Sequence, residues 1–247
     1  MAKRTIRVWR GDQSGGQFEE YSVEAGEGMV VLDLVHIAQA EHANDMAVRW
    51  NCKAGKCGSC SMEINGKPRL GCMTRVSDYA EDEIITVQPM KSFPVIKDLV
   101  TDVSWNYRQN ERITPFTPRP RDADGNWRMM TEDVERVQEF RKCIECFLCQ
   151  DTCHVLRDHD KRSQFVGPRF MIRLAQLDMH PLDVEDRIPA AKEEYGTGYC
   201  NITRCCTEVC PEHINITDNG IIPIKERVVD RYYDPITMLA RKLFGGR

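Results

Sequence analysis

Four cysteines stand within eleven residues, in the order Cys143-Ile-Glu-Cys146-Phe-Leu-Cys149-Gln-Asp-Thr-Cys153. Thiols recurring every third residue can wrap one face of a compact inorganic cube, while the fourth, set one position further on, points toward a second site. Zinc uses the same residue type, but usually through two well-separated C-x2-C knuckles, so this dense repeat favours an iron–sulfur centre.

The chain has twelve cysteines in three groups of four: 52, 57, 60, 72; then 143, 146, 149, 153; then 200, 205, 206, 210. An even count would also suit a disulfide framework. The amino terminus, Met1-Ala-Lys-Arg-Thr-Ile-Arg-Val-Trp9, has no apolar signal run, so the expected setting is a reducing cytosol, where thiols are kept for metal or redox work. No stretch approaches the roughly 18 apolar residues of a membrane helix, and any membrane contact is expected to be peripheral or through partners. A formal net charge of -4 gives no reason to expect nucleic acid. At 247 residues there is room for two modest domains. A stretch from 89 to 130 with interleaved prolines and aromatics places the expected boundary near 105, giving domains 1–105 and 106–247.

In the first domain, Thr5 to Trp9 and Phe18 to Val23 alternate apolar and polar residues about a glycine-rich turn, the pattern of a hairpin. Val30, Val31, Leu34, Val35, Ile37 and Ala38 recur at helical spacing and predict a helix over about 30–42. Cys52-Lys-Ala-Gly55-Lys-Cys57-Gly58-Ser-Cys60, with Cys72 following, is C-x4-C-x2-C plus a distant fourth thiol, the plant-type [2Fe–2S] signature. Gly55 and Gly58 would let backbone N–H groups turn toward the sulfurs. A second hairpin on Asn65-Gly66 returns Cys72 to the loop. A strand over 84–87 then completes a small mixed sheet with one helix, the β-grasp plan. Lys53 and Lys56 flank the loop, either steering an acidic partner or simply solvated. Ile96, Leu99, Val100 and Val103 suggest a short helix, and Met129 and Met130 read as packing residues.

The second domain reads as all-α. Thr131 with Glu132 and Asp133 starts a helix that delivers Cys143; Gly167-Pro168 opens another; 183–194 suggests a third and 221–230 a fourth. Pro235 opens a last, amphipathic helix with Ile236, Leu239, Leu243 and Phe244, expected to dock on its own domain rather than on a membrane surface. Laid onto Cys200, the spacing of the first run predicts cysteines at 203, 206 and 210. The chain has Thr203, Cys206 and Cys210-Pro211. In a two-cluster arrangement each run gives three ligands to one cluster and its last cysteine to the other. Cys143, Cys146, Cys149 and Cys210 would hold a [4Fe–4S] cluster. Cys153, Cys200 and Cys206 share a corner with a threonine hydroxyl, a poor iron ligand, which predicts a [3Fe–4S] cluster. Cys205, out of register by one, reads as a buried free thiol. The expected fold class is α+β: an N-terminal plant-type [2Fe–2S] ferredoxin β-grasp domain followed by an all-α, bacterial-ferredoxin-like two-cluster domain.

With these three runs in this order, the chain resembles, nearly end to end, the iron–sulfur subunit of succinate dehydrogenases and fumarate reductases. Arg49-Trp-Asn-Cys52, Phe93-Pro-Val-Ile-Lys-Asp-Leu99, Phe165-Val-Gly-Pro168 and Cys206-Thr-Glu-Val-Cys210-Pro-Glu-His213 carry the likeness with them. The resemblance implies a flavoprotein partner that oxidises succinate at FAD, an integral membrane anchor where quinone is reduced, and a peripheral seat on the cytoplasmic face of a bacterial cell membrane. Electrons would pass from flavin through [2Fe–2S], [4Fe–4S] and [3Fe–4S] to quinone. In keeping with that, the sequence has no G-x-G-x-x-G loop and no identifiable acid–base pair, so no catalytic residue is expected in this chain. It departs from the family pattern with His154 where many members have Pro, and with Asn201 where ubiquinone types have His. His154 and Asn201 are the candidate quinone contacts, with His159 nearby. The Cys206 to His213 tail looks more like fumarate reductases, which hints at menaquinone. Competing readings are the same wiring run as a fumarate reductase, a ferredoxin-like subunit of another flavin dehydrogenase, and a zinc-stabilised interaction module.

Overall fold

The computed structural model describes residues 2–244, the side chains of 240–242 and 244 excepted. Strands β1 (Ala2–Asp12) and β2 (Gly15–Ala25) pair antiparallel along their whole length, from Ala2 opposite Ala25 to Asp12 opposite Gly15. Both run past the alternating segments, because exposed ends need only ladder hydrogen bonds and no buried face. The hairpin of β3 (Ser61–Ile64) and β4 (Lys67–Leu70) turns on Asn65 and Gly66, both at positive φ. Strand β5 (Ile85–Gln88) runs parallel to β1 and antiparallel to β3, so the sheet order is β2-β1-β5-β3-β4. Ile6, Val8, Ile85 and Val87 are fully buried beneath α1 (Val31–Glu41), which contributes Val31, Leu34, Val35 and Ala38. The first turn of α1 donates from Val31 N–H to the Thr74 carbonyl at 2.9 Å and from Leu32 N–H to the Gly71 carbonyl at 3.0 Å. Those bonds hold the segment that carries Cys72.

The expected helix over 96–103 is instead a small hairpin. Strands β6 (Val95–Lys97) and β7 (Val100–Thr101) pair antiparallel about Asp98, at φ 48°. The buried Asp98 carboxylate accepts from Gly11 N–H at 3.0 Å and Ala47 N–H at 2.8 Å and pairs with Arg10 at 3.0 Å. That anchor comes from residues far away in the chain, so apolar spacing could not register it. Helix α2 (Ser104–Arg112) begins just after, and its buried Asn106 accepts from Gln150 Nε2 at 3.2 Å in the second half.

Helix α3 (Thr131–Gln138) and a 3₁₀ turn over 139–142 lead into Cys143. Short helices α4 (Leu148–Asp151) and α5 (His154–Arg157) carry the rest of the first run, packed beside the long buried helix α6 (Pro168–Asp178). Helix α7 spans only Ile188–Glu193 of the helix expected over 183–194. Arg187, 1% exposed, pairs with Asp183 at 3.0 Å and donates to the Thr114 and Pro115 carbonyls, which holds 183–187 outside the helix. Helix α8 (Cys205–Glu208) carries the last run, and a π-helical turn over 216–221 feeds α9 (Ile222–Tyr232). Helix α10 (Pro235–Phe244) does not bury its apolar face on its own domain: Ile236 is 79% and Leu243 67% exposed. Arg241, Lys242 and Phe244 have side chains outside the described residues. Met129 and Met130 are exposed too, not packing residues. Among the described residues no helix is long and apolar enough to cross a membrane.

Candidate iron–sulfur centres

All twelve cysteines are free thiols. In the first group, Gly55 and Gly58 both lie at φ 68°, the left-handed region that glycine enters without strain. Each turns the following amide inward: Lys56 N–H points at Cys52 Sγ (3.3 Å) and Ser59 N–H at Cys57 Sγ (3.5 Å). Cys72 N–H approaches Cys60 Sγ at 3.4 Å. Burial works against ionisation of Cys57, but bonds from Ser59 and Cys52 bring it down to about 7, while burial pushes Cys60 up to about 12. The two flanking lysines are engaged within the chain. Lys53 lies over the Trp50 ring at 5.0 Å, and Lys56 pairs with Glu212 at 3.1 Å.

Cys143, Cys146, Cys149 and Cys210 line one cavity, walled by Phe147, Ile172, Ile214 and Arg169. Among the described residues no three His, Cys, Asp or Glu side chains gather about a single-ion position. The four thiols ring a cavity, which is the arrangement a multi-iron core needs, since its thiolates bind separate metals. Burial pushes Cys146 up to about 12 and Cys149 well above the ordinary thiol value, and raises Cys143 against the pull of the Arg169 guanidinium. Sulfurs so costly to ionise become thiolates when metal supplies the compensating charge, so the donor set fits a cluster.

Fifty-seven residues further on, the backbone repeats itself. Glu145 (φ 56°) and Phe147 (φ 61°) flank Cys146 in the left-handed region, and Ile202 (φ 61°) and Arg204 (φ 64°) flank Thr203 in the same way. Gln150 and Asp151 N–H both donate to the Phe147 carbonyl at 3.0 Å; Thr207 and Glu208 N–H donate to the Arg204 carbonyl at 3.0 and 3.1 Å. Thr203 thus stands where Cys146 stands. Its Oγ1 lies 3.4 Å from Cys205 Sγ. Cys205 is half-exposed, not buried as expected, and it is close enough to Cys153, Cys200 and Cys206 to bear on their ionisation, so these four thiols share one neighbourhood. Burial raises Cys153 to about 12 and Cys206 to about 11. His154 opens α5, half-buried, with its ring 6.2 Å from that of His159, and Asn201 is exposed.

Several residues that shape these sites carry no sequence signature. Ser61, on β3, donates to the Cys146 carbonyl at 2.8 Å. Glu63 on the same strand is fully buried, pairs with Arg157 at 2.6 Å and lies near Asp151. Burial, with the Glu63 charge, holds Asp151 up to about 7; Ser92 N–H donates to it at 2.9 Å. Arg169, the first residue after Gly167-Pro168, bonds Glu145 at 2.5 Å and faces the four-thiol cavity. Only its place beside a helix-opening Gly-Pro could have drawn attention to it.

Residues 5–107 match the family of 2Fe-2S iron-sulfur cluster binding domains, and residues 139–214 the 4Fe-4S dicluster domain. The fumarate reductase iron-sulfur subunit of Mycobacterium tuberculosis is 32% identical over 210 residues, covering 82% of this chain and 83% of the relative. The chain belongs to the family of succinate dehydrogenase and fumarate reductase iron–sulfur subunits. A chain solved in the Mycobacterium smegmatis Sdh1 complex, in the apo form, superposes with a TM-score of 0.92 at 61% identity, covering 95% of this chain and 99% of the other. A chain of the CoM/CoB fumarate reductase of Methanothermobacter marburgensis is 30% identical over 218 residues and covers 88% of this chain, which spans only 42% of the relative's length. The chain thus joins a 2Fe-2S cluster binding domain of mixed sheet and helix to a helical 4Fe-4S dicluster domain.

Proposed function

We propose that this subunit is the electron relay of a succinate:quinone oxidoreductase, serving respiration and the tricarboxylic acid cycle. Cys52, Cys57, Cys60 and Cys72 hold [2Fe–2S] in a β-grasp domain ending near 105. Cys143, Cys146, Cys149 and Cys210 hold [4Fe–4S], and Cys153, Cys200 and Cys206 hold [3Fe–4S], with Thr203 at the fourth corner. When bound, the clusters supply one-electron chemistry that carries electrons from FAD in a flavoprotein subunit to quinone, menaquinone in this reading, at an integral membrane anchor. The chain itself supplies ligands, inward N–H groups, the Arg169 charge and dry walls, which set how readily each centre takes an electron. His154 and Asn201, each next to a ligand of the last centre, are the quinone candidates. The exposed face of α10 leaves room for the anchor that would hold the subunit at the cytoplasmic side of the membrane.

One observation carries the reading: the first ligand loop touches the second. A Cβ added to Gly58 would lie 2.6 Å from Cys146 Cα, so two sulfur-bearing loops from different domains are in backbone contact, as a relay requires. Fumarate reduction over the same wiring draws support from relatives that bear that name. The test is EPR of the complex purified with its partners, before and after succinate. Three distinct centres, all taking up electrons from succinate, are expected. Colourless protein holding zinc, or centres that stay oxidised, would overturn the proposal; faster turnover with fumarate than with succinate would reverse its direction.

A further inference from the structure

We propose that Ser61 is a positioning residue for electron transfer, its hydroxyl locking the first ligand loop onto Cys146 and closing a bonded bridge between two ligand sets. This deepens the relay reading and rests on it. The Ser61 hydroxyl has two carbonyls within 2.8 Å, those of Gly58 and Cys146. The two acceptors are equally near, and the bond to Cys146 is the one that crosses from the first ligand loop to the second. Ser61 follows Cys60 in the chain. An unbroken path therefore runs from Cys60 Sγ through the Ser61 backbone and hydroxyl, across one hydrogen bond, to the Cys146 carbonyl and on to Cys146 Sγ. Tunnelling falls steeply at every unbonded gap, and this bond both shortens the gap and fixes it. Ser61 is 7% exposed, so water has little access to replace a lost hydroxyl.

A further link near the same gap is of a different kind. Lys56 and Glu212 pair at 3.1 Å, but the Lys56 side chain is 70% exposed, and a solvated pair of this type contributes little to rigidity. In the step itself, one electron would leave the centre that Cys52, Cys57, Cys60 and Cys72 would hold and arrive at the one that Cys143, Cys146, Cys149 and Cys210 would hold. No bond is made or broken, and the Ser61 proton stays on its oxygen.

The test uses the whole complex with Ser61→Ala or Ser61→Thr. EPR counts the centres and measures how fast the [2Fe–2S] spin relaxes beside its neighbour, and flash reduction gives the rate between them. Ser61→Ala is expected to keep all three centres while the inter-centre rate falls roughly tenfold, as lost positioning does, with weaker spin relaxation. Ser61→Thr, which keeps the hydroxyl, should restore both. Wild-type rate and relaxation in Ser61→Ala overturn the proposal. So does a rate that Ser61→Thr fails to restore, or disappearance of a centre in Ser61→Ala, which would make the residue purely structural. A wild-type complex lacking the two signals sinks the relay reading instead.

Discussion

The runs over 143–153 and 200–210 share one backbone and differ in almost everything around it. Both place two residues in the left-handed region on either side of their second ligand position, then a four-residue helix. In the first run that position is Cys146 and the surrounding residues 146–151 are buried against the sheet half of the molecule. In the second it is Thr203, and residues 201–204 face solvent. Ile202 is β-branched, and holding it at φ 61° costs about 1 kcal/mol or more. The chain keeps that cost at a position with no thiol to present. Loop shape is therefore retained independently of the thiol at its middle: on the relay proposal the wrap would belong to the cluster as a whole, while a single side chain would decide what occupies one corner.

The largest effect should come from emptying the first run. Cys149→Ala is expected to remove the centre of the four-thiol cavity and with it all succinate-driven reduction of the last centre, read as lost iron and a lost EPR signal. Retained signals would break the ligand assignment. Next is the docking that separates the runs. Glu63→Ala leaves Arg157 without its buried partner and should lower stability by about 3 kcal/mol, measured by chemical unfolding; a change below about 1 kcal/mol would mean that the sheet does not pin the first run.

Thr203→Cys should leave folding intact and make the second run copy the first, with the three-iron EPR signal of the oxidised state fading as a fourth iron enters. An undiminished signal would show that register alone does not choose the ligand. The smallest effect lies outside both runs. His36 has a buried Nε2 with no partner and an edge contact to Trp50 at 5.0 Å. Burial, then the Lys53 charge, lowers its pKa, with Asp33 opposing. The folded chain then binds the proton less readily than the unfolded chain, so stability is present above about pH 6.5 and is lost as pH falls below it. His36→Phe should flatten that slope in melting curves taken from about pH 5 to 7.5. A slope that survives the substitution would place the titrating group elsewhere; Asp151, held up to about 7, is not it, because its folded form binds the proton more readily and its slope has the opposite sign.

The sheet half was legible because its strands alternate, its helix keeps a 3.6 period and its glycines mark turns; α1 and β5 lie within a residue of their expected ends. Segments whose shape depends on a distant partner were not. Asp98 turns a would-be helix into a hairpin through Gly11, Ala47 and Arg10, and Arg187 holds 183–187 out of α7 through Thr114 and Pro115. The cysteines announced themselves by spacing, whereas Ser61, Glu63 and Arg169 did not, since a serine, a glutamate and an arginine at those positions follow no periodic rule.

By itself the amino-acid sequence determined how the sulfurs are grouped and that position 203 lacks one, because a ligand loop is local and its spacing is written in consecutive residues. Only the tertiary structure decided how near the ligand loops stand. The Ser61 bond to Cys146 joins residues 85 positions apart, and the Glu63 pair with Arg157 crosses the same interface. Contacts of that range arise when two separately folded surfaces meet, and they leave no trace in the order of neighbours along the chain.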